Sequence, residues 1–110
     1  MKYMMFVCVD PRVEVAPDEI APVEPWVEEM GGRGVRLSGD RLRPESDATT
    51  VRVRDGEVLL TDGPFAETKE QIAGYDVLDC ADLDEAIEVA AKHPVARFGT
   101  IELRPFWTGD

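Results

Sequence analysis

The sequence has few of the residues that carry catalysis or metal binding near neutral pH. Among 110 residues there are one histidine, His93, and two cysteines, Cys8 and Cys80. The cysteines lie in predicted strands and are not spaced for a metal, so we expect buried free thiols of a cytoplasmic protein. The chain also lacks a glycine-rich phosphate loop, a Cys/His zinc pattern and a Gly-x-Ser-x-Gly turn. We therefore predict no metal and no cofactor.

The sequence is also short of basic residues and of long apolar runs. Twelve lysines and arginines stand against 23 aspartates and glutamates, which gives a formal net charge of −11. Nucleic acids and anionic membranes attract basic surfaces, so this charge argues against both as partners. After Met1 and Lys2 only seven apolar residues precede Asp10. That run is too short for a secretory signal or a bilayer span, and we expect a cytoplasmic protein.

The same run, residues 3–9, is the most apolar stretch that the sequence does have. An apolar run without alternation indicates a strand whose two faces are both covered. The length fits a single domain over residues 1–110, in which two helices would cover only one face of the sheet. A second copy of the sheet is the simplest cover for the other face, so we predict a homodimer.

Two stretches have helical spacing. In the first, over residues 18–30, prolines interrupt the apolar stripe, and we expect a broken helix whose regular part begins near Pro25. Trp26 either packs in the core, which we favour, or lines a cleft. The second helix begins after Asp82, which with Glu85 resembles a capping box. Its apolar stripe comprises Leu83, Ala86, Ile87, Ala90 and Ala91.

Residues 33–54 concentrate the positive charge, with six of the chain's twelve basic residues and only three acidic ones. Arg36 lies between Val35 and Leu37, while Arg52 and Arg54 alternate with valines. Period-two alternation puts each set of arginines on the face opposite the apolar residues. Such a face is either solvated and set against the acidic surface of the protein or its partner, or it is a site for a carboxylate or phosphate.

A hairpin and an unusual turn follow. Asp55-Gly56 between alternating apolar residues favours the primed turn of a β-hairpin over residues 50–60. Beyond it, Gly63 can take a positive φ and Pro64 fixes its own φ. We expect Phe65 to pin this turn to the core. Asp62 either ties down its own backbone, as aspartates in turns often do, or serves a functional site.

The turn belongs to a longer motif. Asp62-Gly63-Pro64-Phe65 followed by Ala66-Glu67-Thr68-Lys69-Glu70 resembles the signature of the DGPF branch of the YCII-related family. The resemblance extends over most of the chain, including Gly74-Tyr75 and the closing strand 101–105. Only residues 11–29, approximately, differ noticeably from the family. It implies a ferredoxin-like α+β domain that pairs as a dimeric α/β barrel. Some YCII-related proteins are thought to use a histidine–aspartate pair, for which only His93 is available here.

The order of strands and helices predicts the same class from the residues alone: an α+β sandwich with an inserted hairpin.

Two functions remain open. In the first, the domain is a regulatory or accessory module that binds a small anionic ligand in a cleft near Asp62. The ligand-binding candidates are Arg36, Arg52, Arg54, Gly63, Pro64 and Phe65.

In the alternative, the domain is a small acid/base enzyme, isomerase- or lyase-like. Asp62 would transfer the proton and Tyr75 would donate a hydrogen bond, because both residue types have the required polar group. His93 is a further candidate, since histidine titrates near neutral pH. It follows the end of the second helix, where interaction of a positive charge with the helix dipole would also explain it.

Overall fold

The computed structural model describes residues 1–66 and 68–108. The six strands are β1 (Lys2–Val9), β2 (Arg36–Arg41), β3 (Thr49–Arg54), β4 (Glu57–Asp62), β5 (Gln71–Asp79) and β6 (Thr100–Pro105). The helices are α1 (Glu24–Gly32) and α2 (Leu83–Ala91), with short 3₁₀ turns at Pro17–Glu19, Glu45–Asp47 and Pro94–Arg97. Neither of the two α-helices in the described ranges is long and apolar enough to cross a membrane.

Four strands form an antiparallel sheet in the order β2-β5-β1-β6, and β3 and β4 form a separate two-stranded sheet. Without the hairpin, the order along the chain is βαββαβ, the ferredoxin-like arrangement. The predicted α+β, ferredoxin-like sandwich with an inserted hairpin is therefore confirmed. Pairing of two such sheets into a barrel stays a prediction.

The two faces of the four-stranded sheet differ in burial. Tyr3, Met5 and Val7 of β1 are buried on the face that the helices cover, and they belong to the core. The residues between them, Met4 and Phe6, are only partly buried on the other face. The run 3–9 thus has one covered face and one open face within a single chain.

Helix α1 begins where the prolines allow it. Pro25 lies in the first turn, as predicted, because a proline there costs no intrahelical hydrogen bond. Trp26 is buried, and its indole Nε1–H donates to the carbonyl of Val89 at 2.9 Å. The favoured core position of Trp26 is confirmed, and its hydrogen bond joins α1 to α2.

Helix α2 has the expected cap but a different buried face. The Glu85 amide donates to the Asp82 carboxylate at 2.9 Å, and the Ala81 amide donates to Glu85 Oε1 at 2.9 Å. Only two of the five residues of the predicted stripe are buried, since Leu83, Ile87 and Ala91 are exposed. The residues that α2 buries are Ala86, Val89 and Ala90. Ala86 and Ala90 face the core, and the apolar spacing alone could not distinguish them from the larger residues of the stripe.

The β3–β4 hairpin forms as predicted. Asp55 and Gly56 have φ of 52° and 79°, the positive values that a type I′ turn requires at both central positions. Cross-strand pairing puts Val51 opposite Leu60 and Val53 opposite Val58 on one face. These four side chains are 58–67% exposed, so the hairpin leaves its apolar face uncovered within the single chain.

Candidate functional site

A cavity of about 710 Å³ lies beside the helix-covered face of the sheet. It is bordered by β1, β2, β5, the start of α1 and the 3₁₀ turn after α2. Most of its wall is apolar: Val7, Val9, Ile20, Ala21, Pro22, Val23, Val27, Pro94 and Val95. A concave, mainly apolar space with a few polar groups is the usual form of a small-molecule site.

An ion pair supplies the polar end of this cavity. Arg36 of β2 donates from Nε to Asp76 Oδ1 of β5 at 2.7 Å, and both side chains are largely buried. Burial raises the pKa of the Asp76 carboxyl, and the guanidinium of Arg36 only partly offsets this effect. Asp76 is therefore a carboxyl that gains a proton more readily than an exposed aspartate.

Gly39 makes room for this pair. It lies opposite Asp76 in the β2–β5 ladder, and a Cβ at this position would collide with Asp76 Oδ1. The same Cβ would lie 2.6 Å from the Tyr75 carbonyl oxygen and 2.7 Å from Arg36 Nη2. No side chain other than hydrogen fits at position 39 while the ion pair keeps its place.

The pair keeps unused hydrogen-bonding capacity. Within residues 1–66 and 68–108, Arg36 donates to Asp76 only through Nε, and Asp76 Oδ2 accepts from no other group. No fully buried side-chain nitrogen or oxygen in these ranges lacks a partner. The free atoms, Arg36 Nη1 and Nη2 and Asp76 Oδ2, are therefore accessible to a molecule that enters the cavity.

His93 borders the same cavity as a neutral donor. Its Nδ1 accepts a hydrogen bond from the Val95 amide at 3.1 Å, so the ring proton is on Nε2. Burial lowers the pKa of His93, and the edge of the ring contacts Trp26 with centroids 4.8 Å apart. The interpretation of His93 as a positive charge on the helix dipole is wrong, because the buried ring is held in its neutral form. A neutral imidazole with Nδ1 already occupied is a poor general base.

Tyr75 borders the cavity through its backbone. Strand alternation puts its side chain on the face opposite that of Gly74 and Asp76. On that open face Tyr75 is the cross-strand neighbour of Phe6. The phenol of Tyr75 is thus separated by the sheet from the Arg36–Asp76 pair.

The turn that begins at Asp62 lies at the base of the hairpin and does not border the cavity. Gly63 has the expected positive φ, 91°, and its amide donates to the Ala48 carbonyl at 2.7 Å. The Gly63 carbonyl accepts from Thr50 Oγ1 at 2.8 Å. Within the described ranges the Asp62 carboxylate accepts no hydrogen bond, so the turn is held by Gly63 and Thr50 instead.

Phe65 does not pin this turn to the core. Its side chain is 79% exposed, and the turn follows a hairpin that forms a separate two-stranded sheet. Pro64 beside it is half-buried. Glu67 of the same motif lies outside the described residues.

The hairpin arginines are separated from Asp62 as well as from Arg36. Asp62 pairs with Thr49, whereas Arg52 pairs with Leu59 and Arg54 with Glu57. These positions are odd numbers of residues apart along β3, so the arginines point to the face opposite that of Asp62. Of the predicted site residues, only Arg36 and His93 bring side chains to the cavity.

Asp76 and Gly39, both at the polar end of the cavity, were not predicted as site residues. A glycine inside a strand often marks a close approach of other atoms, and Gly39 carries that signal. Asp76 interrupts the apolar pattern of β5, where its neighbours Tyr75 and Val77 face the other way. A charged residue at a core-facing strand position indicates a buried partner. Among the described residues, no cluster of His, Cys, Asp and Glu is arranged for a metal.

Comparison with known proteins agrees with this fold. The model of the YCII-related domain matches residues 1–108. An uncharacterised protein of Rhizobium meliloti (strain 1021) is 48% identical over 67 residues, which cover 59% of this chain and 54% of that protein. The chain thus spans about half the length of this relative. With a family model that covers nearly all of its length, the chain belongs to the YCII-related family.

Proposed function

We propose that this chain is a regulatory or accessory domain that binds a small organic molecule in the cavity of Arg36, Asp76 and His93. One observation carries the proposal: a partly accessible ion pair, laid across a glycine, at the polar end of a mainly apolar cavity. A pair of opposite charges with little solvent access is costly to maintain unless it is well satisfied or has a use. The Asp62 turn, near which the ligand cleft was predicted, does not border this cavity.

The size of the cavity supports the proposal. Sites for compact organic molecules commonly enclose roughly 300–1,000 Å³, and this one encloses about 710 Å³. Its valine and proline walls would bury the body of such a molecule. The polar groups of Arg36, Asp76 and His93 would fix its orientation.

Blocking the cavity tests the proposal. A panel of fragment-sized compounds is screened by thermal shift on the wild type and on Ala21→Trp, which adds bulk to the cavity border. Ala16→Trp is the matched control, because Ala16 is exposed in the same segment but does not border the cavity. We expect the same compounds to raise the Tm of the wild type and Ala16→Trp but not of Ala21→Trp. Equal shifts in all three proteins would contradict the proposal.

A second candidate function is acid/base catalysis in the same cavity. The specific observation is that burial raises the pKa of Asp76, which makes this carboxyl better suited to proton exchange than an exposed one. Asp76 would then take the role predicted for Asp62, and His93 would donate a hydrogen bond to the reacting oxygen. The reaction class remains isomerase- or lyase-like.

Proton exchange distinguishes catalysis from simple binding. Any compound found in the screen is incubated with the protein in D₂O, and loss of its C–H signal is followed by NMR. If the protein is an enzyme, we expect exchange of the C–H proton for deuterium that disappears in Asp76→Asn and persists in Asp62→Asn. Binding without exchange would support the regulatory proposal and contradict the enzyme proposal.

We also propose that the chain is a homodimer. The partly buried open face of β1 and the exposed apolar face of the hairpin support it, since large uncovered apolar surfaces usually mark an interface. Light scattering should give about twice the chain mass of 12.2 kDa. Leu60→Asp on the apolar face of the hairpin should weaken the dimer, whereas Thr61→Asp on the opposite face should not. A wild-type monomer at micromolar concentration would contradict this assembly.

Two finer assignments rest on single features. The motif from Asp62 to Phe65 supports membership of the DGPF branch within the YCII-related family. The free thiols of Cys8 and Cys80 support a cytoplasmic location, because reducing compartments keep thiols unpaired. Location of the tagged protein by fluorescence microscopy tests the second.

A further inference from the structure

We infer that the ligand of this cavity carries an uncharged head group that both donates and accepts hydrogen bonds, of which a primary carboxamide is the simplest. This inference rests on the proposed function and names the chemical class that the site selects. It differs from the anion that the arginine pattern predicted, because Arg36 is not a free cation.

The charge of Arg36 is already compensated. Its Nε–H lies 2.7 Å from Asp76 Oδ1, so the two unit charges cancel for any group that approaches both. A carboxylate entering the cavity would gain contact with Arg36 only while approaching the carboxylate of Asp76. A primary amine would meet the reverse problem at the guanidinium.

The rest of the cavity border does not restore a positive field. Its described charged side chains are two arginines and two carboxylates: Arg36, Arg41, Glu24 and Asp76. Asp40 borders the cavity through its backbone, because it is paired with Tyr75 on the open face of the sheet. An anion would therefore lose its hydration without meeting an excess of positive charge. Sites that bind anions normally provide unpaired cations or several backbone amides.

The unused atoms of the pair have a definite complement. The guanidinium has N–H groups at Nη1 and Nη2 that are not directed to Asp76, and Asp76 Oδ2 is an unused acceptor. A carboxamide offers a carbonyl oxygen to the first and an N–H to the second. Because a carboxamide is uncharged, its binding adds no further charge to the cavity when water is displaced.

His93 adds one donor and no charge. Because Nδ1 is engaged by the Val95 amide, the neutral ring presents Nε2–H. This N–H could donate to a second acceptor on the ligand or to the second lone pair of its carboxamide oxygen. The aliphatic wall, mostly valine and proline, suits a compact ring or branched chain as the body of the molecule.

Matched pairs of compounds test the inference directly. Benzamide is compared with benzoate, and cyclohexanecarboxamide with cyclohexanecarboxylate, by titration calorimetry near neutral pH. Within each pair the apolar body is the same, so only the head group differs. We expect each amide to bind the wild type about tenfold more tightly than its acid, since a buried site built for one hydrogen-bond pattern discriminates against another.

A variant reverses the expected preference. Asp76→Asn keeps an acceptor for the Arg36 Nε–H but removes the negative charge, so Arg36 becomes an uncompensated cation. The acids should then bind at least as tightly as the amides. Asp84→Asn is the control: it makes the same charge change on the exposed surface of α2 and should keep the wild-type preference. Melting curves establish that both variants are folded.

The results of these titrations can show that the head-group inference is wrong while the proposed binding in the cavity still holds. Tighter binding of the acids by wild type, lost in Ala21→Trp, would overturn the head-group inference and leave the cavity proposal standing. A preference for the amides that persists in Asp76→Asn would also overturn the head-group inference, because the Arg36–Asp76 ion pair would then not be the cause of that preference. Failure of all four compounds to bind wild type, while the wider screen finds other ligands of the cavity, would likewise overturn the inference alone.

Discussion

Strands β2 and β3 carry arginines in the same local pattern, yet their arginines reach different environments. Arg36 follows Val35, and Arg52 follows Val51. Val35 is buried in the core, and Arg36 is held against Asp76 beside the helix-covered face. Val51 and Arg52 are both exposed, because the hairpin is a separate sheet that no other described element covers. The prediction that Arg36 lies on the face opposite Val35 is wrong, because Val35 precedes β2 and Arg36 is paired with the buried Leu78 on the helix-covered face. In β3 the alternation holds, but the face that carries the valines stays exposed.

The largest difference between the two regions should appear when each arginine is removed. Arg36→Ala leaves the Asp76 carboxyl largely buried without its partner, and breaking such a pair costs about 3 kcal/mol. Arg52→Ala removes an exposed side chain and should leave the free energy of unfolding unchanged. Urea denaturation measures both. Equal effects of the two substitutions would show that the Arg36–Asp76 pair is not a stabilising feature of the fold.

A glycine substitution in each region should give a smaller contrast. Gly39→Ala forces a Cβ against the Tyr75 carbonyl and the ion pair, and overpacking of this kind costs about 2 kcal/mol. Gly56→Ala in the hairpin meets no neighbouring atom within 4 Å, but it strains a positive φ, which costs about 1 kcal/mol. Chemical denaturation of both variants gives the two values. A milder effect at position 39 than at position 56 would contradict the close packing at Gly39.

Between pH 7 and 5.5 the buried His93 of the covered region should make the stability depend on pH. Burial lowers the pKa of His93 in the folded state, so the unfolded chain takes up the proton first as pH falls below 6.5. Stability from His93 is therefore present above that pH and is lost on acidification. Asp76 acts in the opposite sense at lower pH, because burial raises its pKa and folding then favours the protonated carboxyl.

A variant isolates the contribution of His93. His93→Asn keeps an acceptor for the Val95 amide and cannot titrate. Thermal melts between pH 7 and 5.5 should show a fall in Tm for wild type that is weaker in His93→Asn. The same slope in both proteins would mean that His93 is as easily protonated in the folded state as in the unfolded chain.

The smallest effect is expected at the end of the hairpin. Phe65→Ala should change the free energy of unfolding by less than about 0.5 kcal/mol, as usual for an exposed side chain. If the ring were buried as the sequence suggested, the loss would be about 3–5 kcal/mol. The two values can be distinguished by thermal denaturation at a protein concentration at which the chain is monomeric, because a dimer interface then contributes nothing to the stability.

Much of the fold could be predicted from the sequence because local rules determine it. The Asp55-Gly56 turn, the start of α1 near Pro25 and the cap at Asp82 each depend on residues a few positions apart. The ferredoxin-like order followed from the sequence of elements. These features involve backbone angles and hydrogen bonds that short stretches of chain specify.

The candidate site was predicted less well because it depends on pairing between distant strands. Arg36 and Asp76 are 40 residues apart in the sequence, and nothing local to either identifies the other. The turn at Asp62 attracted attention because its motif is conspicuous, yet it borders no cavity. Asp76 could have been found only by asking why a charged residue occupies an inward position of β5.

The central position of β1 has a consequence for synthesis of the protein. Its first residues pair with β5, which begins at Gln71, and with β6, which ends at Pro105. At about 5–20 residues per second, roughly 5–20 s pass between translation of β1 and that of its last partner. For most of that interval, until β5 has been translated, the most apolar stretch of the chain has no partner strand. The nascent chain is therefore most prone to aggregation at residues 3–9, and a chaperone that shields this segment would act where protection is most needed.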